Sequence, residues 1–103
     1  MRGIRLTDSQ VLDICTAFRS CFLGGDSLWL FGSRTNINQR GGDIDLYIET
    51  AMENPEEIVK SRLSFLNKLE KALGEQKIDV VIKSNNFDLD IYDIAKKEGI
   101  QLI

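Results

Sequence analysis

Apolar residues recur along the chain with two different periods, and the switches between them divide it into elements. Val11, Ile14, Cys15, Phe18 and Phe22 are spaced as on one face of a helix. Thr7 ahead of this run and Gln10 three residues later have the form of a capping box, and Gly24-Gly25 ends the helix. Ser27 to Phe31, with its apolar run Leu28-Trp29-Leu30-Phe31, reads as a short buried strand. Arg34 to Gly42, rich in Asn and Gly, reads as a loop or a single helical turn. Asp43 to Glu49 then alternates, with Ile44, Leu46 and Ile48 on one side and Asp43, Asp45, Tyr47 and Glu49 on the other.

The second half repeats the helix and strand signals. Asn54-Pro55-Glu56-Glu57 is a helix start: an N-cap, a proline for the first turn, and acids near the positive end of the dipole. Ile58, Val59, Leu63, Leu66, Leu69 and Leu73 form the expected buried stripe, and Gly74 suits the C′ position. Lys77 to Ile82 is mostly apolar and is expected as an interior strand. Asn85 or Asn86 caps a last helix running to about Glu98, ended by Gly99, and Ile100 to Ile103 offers a short final strand. These elements predict an α/β (α+β) fold: a small mixed β-sheet of about four strands with helices packed on it, in a single domain spanning residues 1–103.

Composition narrows the chemistry more than the fold. With 103 residues, 43% of them hydrophobic and 28% charged, the chain has the make-up of a globular protein with one core. No apolar run approaches a membrane span, and Met1-Arg2-Gly3-Ile4-Arg5 leads into polar residues without a signal-peptide pattern, so a cytoplasmic protein off the membrane is expected. A net charge of −3 argues against holding nucleic acid by general electrostatics. Cys15 and Cys21 lie six apart on one helix and face different ways, so two core thiols are expected rather than a disulfide. The chain has no histidine. That removes Ser-His-Asp and Cys-His catalysis and, with only two cysteines, ordinary zinc sites. Any metal here takes oxygen ligands, as Mg²⁺ or Mn²⁺ do.

The candidate chemistry lies between Phe31 and Glu49. Gly32-Ser33 follows a buried strand, where glycine lets backbone N–H groups approach an anion and Ser33 can bond a terminal phosphate. Arg34 and Arg40 flank the same loop; each is either a solvated loop arginine or a neutraliser of phosphate charge. Asp is depleted in strands, so Asp43-x-Asp45 needs a reason. Two carboxylates about 4 Å apart repel by roughly 4 kcal/mol at an effective dielectric of about 20, and a cation between them removes that repulsion. The other reading is a solvent-facing edge strand, continued by Tyr47 and Glu49. An EF-hand fits poorly, because Tyr47 and Ile48 stand where a ligand and the turn glycine belong. Asp79 sits between Ile78 and Val80, where an unpaired buried carboxylate is costly. It either completes a triad with Asp43 and Asp45 or tops its strand in solvent. Trp29 is expected in the core, and Tyr47 either in the core or as a stacking platform.

Phe31-Gly32-Ser33, nine residues, then Asp43-Ile44-Asp45-Leu46 resembles the signature of the DNA polymerase beta-like nucleotidyltransferase superfamily. Lys77-Ile78-Asp79-Val80-Val81 resembles its later strand, which supplies a third acid. The small size, with GSR and GGDIDLYIE, is most similar to the minimal nucleotidyltransferases (MNT proteins), often the antitoxin partners of HEPN-domain toxins. Gly41-Gly42 departs from the serine many relatives carry before the first aspartate. The resemblance implies the polymerase beta-like fold and transfer of AMP from ATP, with Mg²⁺ or Mn²⁺, to a hydroxyl of a protein partner. It implies Asp43, Asp45 and Asp79 as catalytic metal ligands, and Gly32, Ser33 and Arg34 at the nucleotide. In the antitoxin subgroup the acceptor is a tyrosine of the HEPN toxin, which adenylylation silences. A protein partner, or a second copy of the chain as a homodimer, would complete a site this small. Two other functions stay open: an inactive module of this fold that neutralises a partner by covering it, and a small-molecule nucleotidyltransferase.

Overall fold

A computed structural model describes residues 6–31, 44–84 and 96–103. Its elements are α1 (Asp8–Cys21), β1 (Ser27–Phe31), β2 (Ile44–Glu49), α2 (Pro55–Leu73), β3 (Ile78–Lys83) and β4 (Ile100–Gln101). The strands form one mixed sheet in the order β3-β2-β1-β4. β1 is antiparallel to both β2 and β4, while β2 and β3, joined through α2, run parallel. The expected α-plus-β class with a small mixed four-stranded sheet is what the chain adopts. The last helix expected from Asn85 or Asn86 falls mostly outside the described residues; residues 96–98 are helical and Gly99 follows them.

The helix starts form as their side chains dictate. Thr7 Oγ1 accepts from the Gln10 N–H at 3.1 Å and Gln10 Oε1 accepts from the Thr7 N–H at 2.9 Å, closing the capping box. Asn54 Oδ1 accepts from the Glu56 N–H at 2.9 Å, with Pro55 opening α2 and Gly74, at φ +81°, ending it. α1 stops at Cys21, earlier than Gly24-Gly25 suggest, with the Phe22 N–H bonded to the Phe18 carbonyl. Asp26 closes the turn that follows. Its carboxylate accepts from the Leu23 N–H at 2.9 Å, from the Thr50 hydroxyl at 2.6 Å and from the Ala51 N–H at 2.9 Å. This buried side chain joins the lead into β1 to the exit of β2, and the bonds replace the water its charge gives up.

The main core lies between the helices and one sheet face. Ile14, Phe18, Phe65 and Leu69 from the helices, with Phe22 at the end of α1, meet Leu28, Leu30, Ile44, Leu46, Ile48 and Val80 from the strands. Phe18 stacks on Phe22, and Phe65 meets both rings edge-on. Two members of the expected α2 stripe are exposed, Val59 at 55% and Leu63 at 56%, while Phe65, absent from that stripe, is fully buried. At about 100° per residue, Phe65 and Leu69 fall within about 20° of Ile58, whereas Val59 and Leu63 fall about 100–140° away. Both cysteines are free: Cys15 is buried, and burial raises its thiol pKa, whereas Cys21 is only half-buried, 3.5 Å from Ser64 Oγ. Among the described residues no helix is long and apolar enough to cross a membrane.

β3 corrects the expectation of an interior strand. Among the described residues it is the edge of the sheet, bonded only to β2. Its apolar residues are explained by its two faces rather than its two edges. Ile78, Val80 and Ile82 pack toward the helices and Val81 packs on the opposite side, against Trp29 and Tyr47.

Candidate functional site

Strand pairing brings two of the three predicted acids together. β2 and β3 align Ile44 with Ile78, Asp45 with Asp79, Leu46 with Val80 and so on to Glu49 with Lys83. Register partners on adjacent strands project to the same face, and strands lie about 4.8 Å apart, so Asp45 and Asp79 are side-by-side neighbours. On the other flank Asp45 pairs with Phe31, the last residue of β1 before Gly32-Ser33 in sequence. Asp45 is partly exposed and Asp79 is exposed. The cost of an unpaired buried carboxylate therefore does not apply to Asp79. What singles Asp79 out is its place beside a second carboxylate.

The remaining predicted site residues, Gly32, Ser33, Arg34, Arg40 and Asp43, lie outside the described residues. Among the described residues no three His, Cys, Asp or Glu side chains converge into a metal-holding group. The donors present are two neighbouring carboxylates, oxygen ligands of the kind a hard divalent cation takes, which fit Mg²⁺ or Mn²⁺ and do not suit a soft metal. A concavity of about 540 Å³, lined by Leu66, Glu70, Glu75, Gln76, Lys77 and Ile78, lies elsewhere. Ile78 packs against the helix-side core, so this groove opens on the side of β3 away from Asp79.

Along the same face, away from the acids, comes an aromatic row. Trp29, Tyr47 and Val81 share a register, and the Trp29 and Tyr47 rings stand 5.3 Å apart. Tyr47 is fully buried and Trp29 is 7% exposed, so both belong to a second, small core. The alternation of β2 is as expected, but on its polar-looking side Tyr47 is buried while Asp45 and Glu49 stay partly exposed. The Tyr47 hydroxyl donates to Glu49 Oε2 at 2.7 Å, and Lys96 Nζ approaches the same oxygen at 3.3 Å while lying 5.4 Å from the Trp29 ring centre.

Sequence reasoning missed this end of the face, where Glu49, Lys83 and Lys96 gather, and it missed Asp26. Asp26 had a signal: an acid directly after Gly24-Gly25 and before a strand is placed to close a turn. Lys96 had none, because its partners lie 47 and 67 positions earlier in the chain. Compared with known proteins, the chain matches no protein-family model and no curated protein.

Proposed function

We propose that the chain is a divalent-cation-dependent nucleotidyltransferase that moves AMP from ATP to a hydroxyl of a protein partner, as the antitoxin of a HEPN/MNT toxin–antitoxin pair. The observation that carries this reading is the register of Asp45 with Asp79 on adjacent parallel strands, with Phe31 on Asp45's other side. It supports the reading because the superfamily signature requires the acids of two separated segments to meet, and neighbouring strands with an offset register would keep them apart. The chain order adds support: Gly32-Ser33 follows Phe31 directly and Asp43 precedes β2 by one residue.

In this proposal Asp43, Asp45 and Asp79 hold Mg²⁺, which when bound neutralises triphosphate charge and makes the acceptor hydroxyl easier to deprotonate. The partial exposure of Asp45 and the exposure of Asp79 leave the carboxylates open to a nucleotide and to a partner's hydroxyl. Asp79, the more exposed, is the carboxylate placed to take the acceptor proton in a chain without histidine. Gly32 and Ser33 bind the β- and γ-phosphates through backbone N–H and hydroxyl donors, and Arg34 offsets the charge of the departing pyrophosphate.

The test is transfer of label from ATP labelled in the α-phosphate, with Mg²⁺ and the HEPN-type partner present. Label should appear on the partner with the native chain and vanish with the Asp45→Asn/Asp79→Asn double variant. Label that persists with the double variant removes these acids from the reaction. Full neutralisation of the partner without any label makes the chain a covering module instead.

A further inference from the structure

Among the described residues β3 has one bare edge, and α2 has one bare shoulder beside it. The Ile44 N–H bonds the Lys77 carbonyl and the Thr50 N–H bonds the Lys83 carbonyl. Backbone groups alternate along a strand, so the odd-numbered residues of β3 turn theirs toward β2. Ile78, Val80 and Ile82 therefore each point an N–H and a C=O outward from the sheet. The register runs one to one over all six residues without a bulge, and the chain's single proline is Pro55, so β3 lacks two common guards of an open edge. The shoulder follows from the other neighbours of α2. Ser64 and Lys68 turn toward α1, where they meet Cys21 and Ser20, while Phe65 and Leu69 turn into the core. Val59 and Leu63 are left on the opposite flank, more than half exposed. Leu66 and Glu70, within about 60° of them around the helix, line the groove with Ile78 of β3. Edge and shoulder thus face the same way.

We infer that a second copy of the chain docks here about a two-fold axis, β3 against β3 antiparallel and α2 shoulder against α2 shoulder. An identical edge complements this one. With the axis at Val80, Ile78 stands opposite Ile82 and Val80 opposite Val80, so all three outward residues form hydrogen-bonded pairs. With the axis at Asp79, two carboxylates would face each other, which disfavours that register. The helices meet under the same operation. α2 links two parallel strands and so runs antiparallel to them, with Leu66 and Glu70 level with Ile78. Val80 lies about 7 Å further along the strand, or about five residues earlier on the helix, which is close to Leu63. The axis through Val80 therefore brings the two Leu63 side chains together, with Val59 beside them. An added peptide strand would fill the edge and leave Val59 and Leu63 in water; a second copy covers both. The patch covers roughly 500 Å² on each copy, the lower limit of a specific interface, so association belongs in the micromolar range. Asp79 projects from the other sheet face, so the pairing leaves the acids uncovered and does not depend on the transferase reading.

The experiment is sedimentation velocity of the full chain from about 1 to about 500 µM, a range that brackets a micromolar dimer. The sedimenting mass should rise from that of one chain toward that of two. Amide hydrogen exchange, run at each end of the range and then quenched, reads the edge directly. The Ile78, Val80 and Ile82 amides should gain protection on concentration, while Asp79 and Val81, bonded to β2, stay protected throughout. Leu63→Glu sets two carboxylates at the axis and should weaken the dimer at least about tenfold. Ile82→Pro removes one outward N–H, spares the bonds to β2, and should weaken it by a similar factor. Circular dichroism checks the folding of each variant, and Leu63, being more than half exposed, can change without opening the core. Leu12→Glu, at an exposed position of α1, should leave the dimer unchanged. A chain that stays monomeric over the whole range overturns the proposal. So does a dimer that neither Leu63→Glu nor Ile82→Pro weakens.

Discussion

Asp45 and Asp79 stand near the amino ends of the parallel strands β2 and β3; Glu49 and Lys83 stand at their carboxyl ends, on the same face. The same backbone ladder positions both groups, yet one end pairs two carboxylates and the other sets Lys83 and Lys96 around one. Between them the buried Trp29–Tyr47 row keeps the polar groups apart. The separation of about 13 Å exceeds the screening length of about 8 Å at physiological salt, so the exposed charges at one end barely feel those at the other. The basic end is also tied by side chains: Asp26 to Thr50 and Ala51, Tyr47 to Glu49, and Glu49 to Lys96.

Breaking the acidic end has the largest expected effect. The Asp45→Asn/Asp79→Asn variant should lower label transfer at least about a thousandfold, roughly 4 kcal/mol of barrier, with an unchanged far-ultraviolet dichroism spectrum. A variant that keeps more than a tenth of the native rate places catalysis elsewhere. Next comes the fastening of the basic end. Asp26→Ala removes a charged acceptor from three donors, two of them on the segment just after β2. It should cost about 3 kcal/mol in urea unfolding; a loss below about 1 kcal/mol means the carboxylate does not hold that segment.

Smaller changes sharpen the contrast. Tyr47→Phe keeps the buried ring and deletes the bond to Glu49, so about 1 kcal/mol of stability should go. An unchanged unfolding midpoint would show that Lys96 alone suffices to hold Glu49. The slightest effect is one of sign. Without divalent cations and at low salt, Asp79→Asn should stabilise the chain by up to about 0.8 kcal/mol, the repulsion of two charges about 5 Å apart in water. Millimolar Mg²⁺ should erase that gain by stabilising the native chain alone. A variant less stable than the native chain in both buffers indicates that Asp79 makes a favourable contact rather than an unfavourable one.

How far the sequence reveals this molecule depends on the range over which each interaction acts. Thr7 with Gln10 and Asn54 with Pro55 were legible because a cap is settled within four residues. β1 was legible to the residue, Ser27–Phe31, because a continuous apolar run between Gly-rich segments leaves little freedom. The alternation of β2 was legible too, but not what lies over its second side, since Tyr47 looks like a surface residue until Trp29, Val81 and Lys96 surround it. β3 misled because burial on two faces and pairing at two edges leave the same apolar signature. In α2 the leucine spacing drew attention to Leu63 and away from Phe65, and only the direction of α1 decides which shoulder of that helix is covered. At the candidate site, the adjacency of Asp45 and Asp79 could be posed from spacing as a condition; the one-to-one register that meets it belongs to the ladder.

The chain has a single tryptophan, and it is the residue caught between Tyr47 and the Lys96 ammonium. Its emission should be blue-shifted, fed by energy transfer from the tyrosine 5.3 Å away, and sensitive to the cation above it. Loosening of the helical turn at residues 96–98 should thus be visible as a colour change before the sheet itself melts. The protein carries its own optical gauge of how firmly its last helical turn is seated.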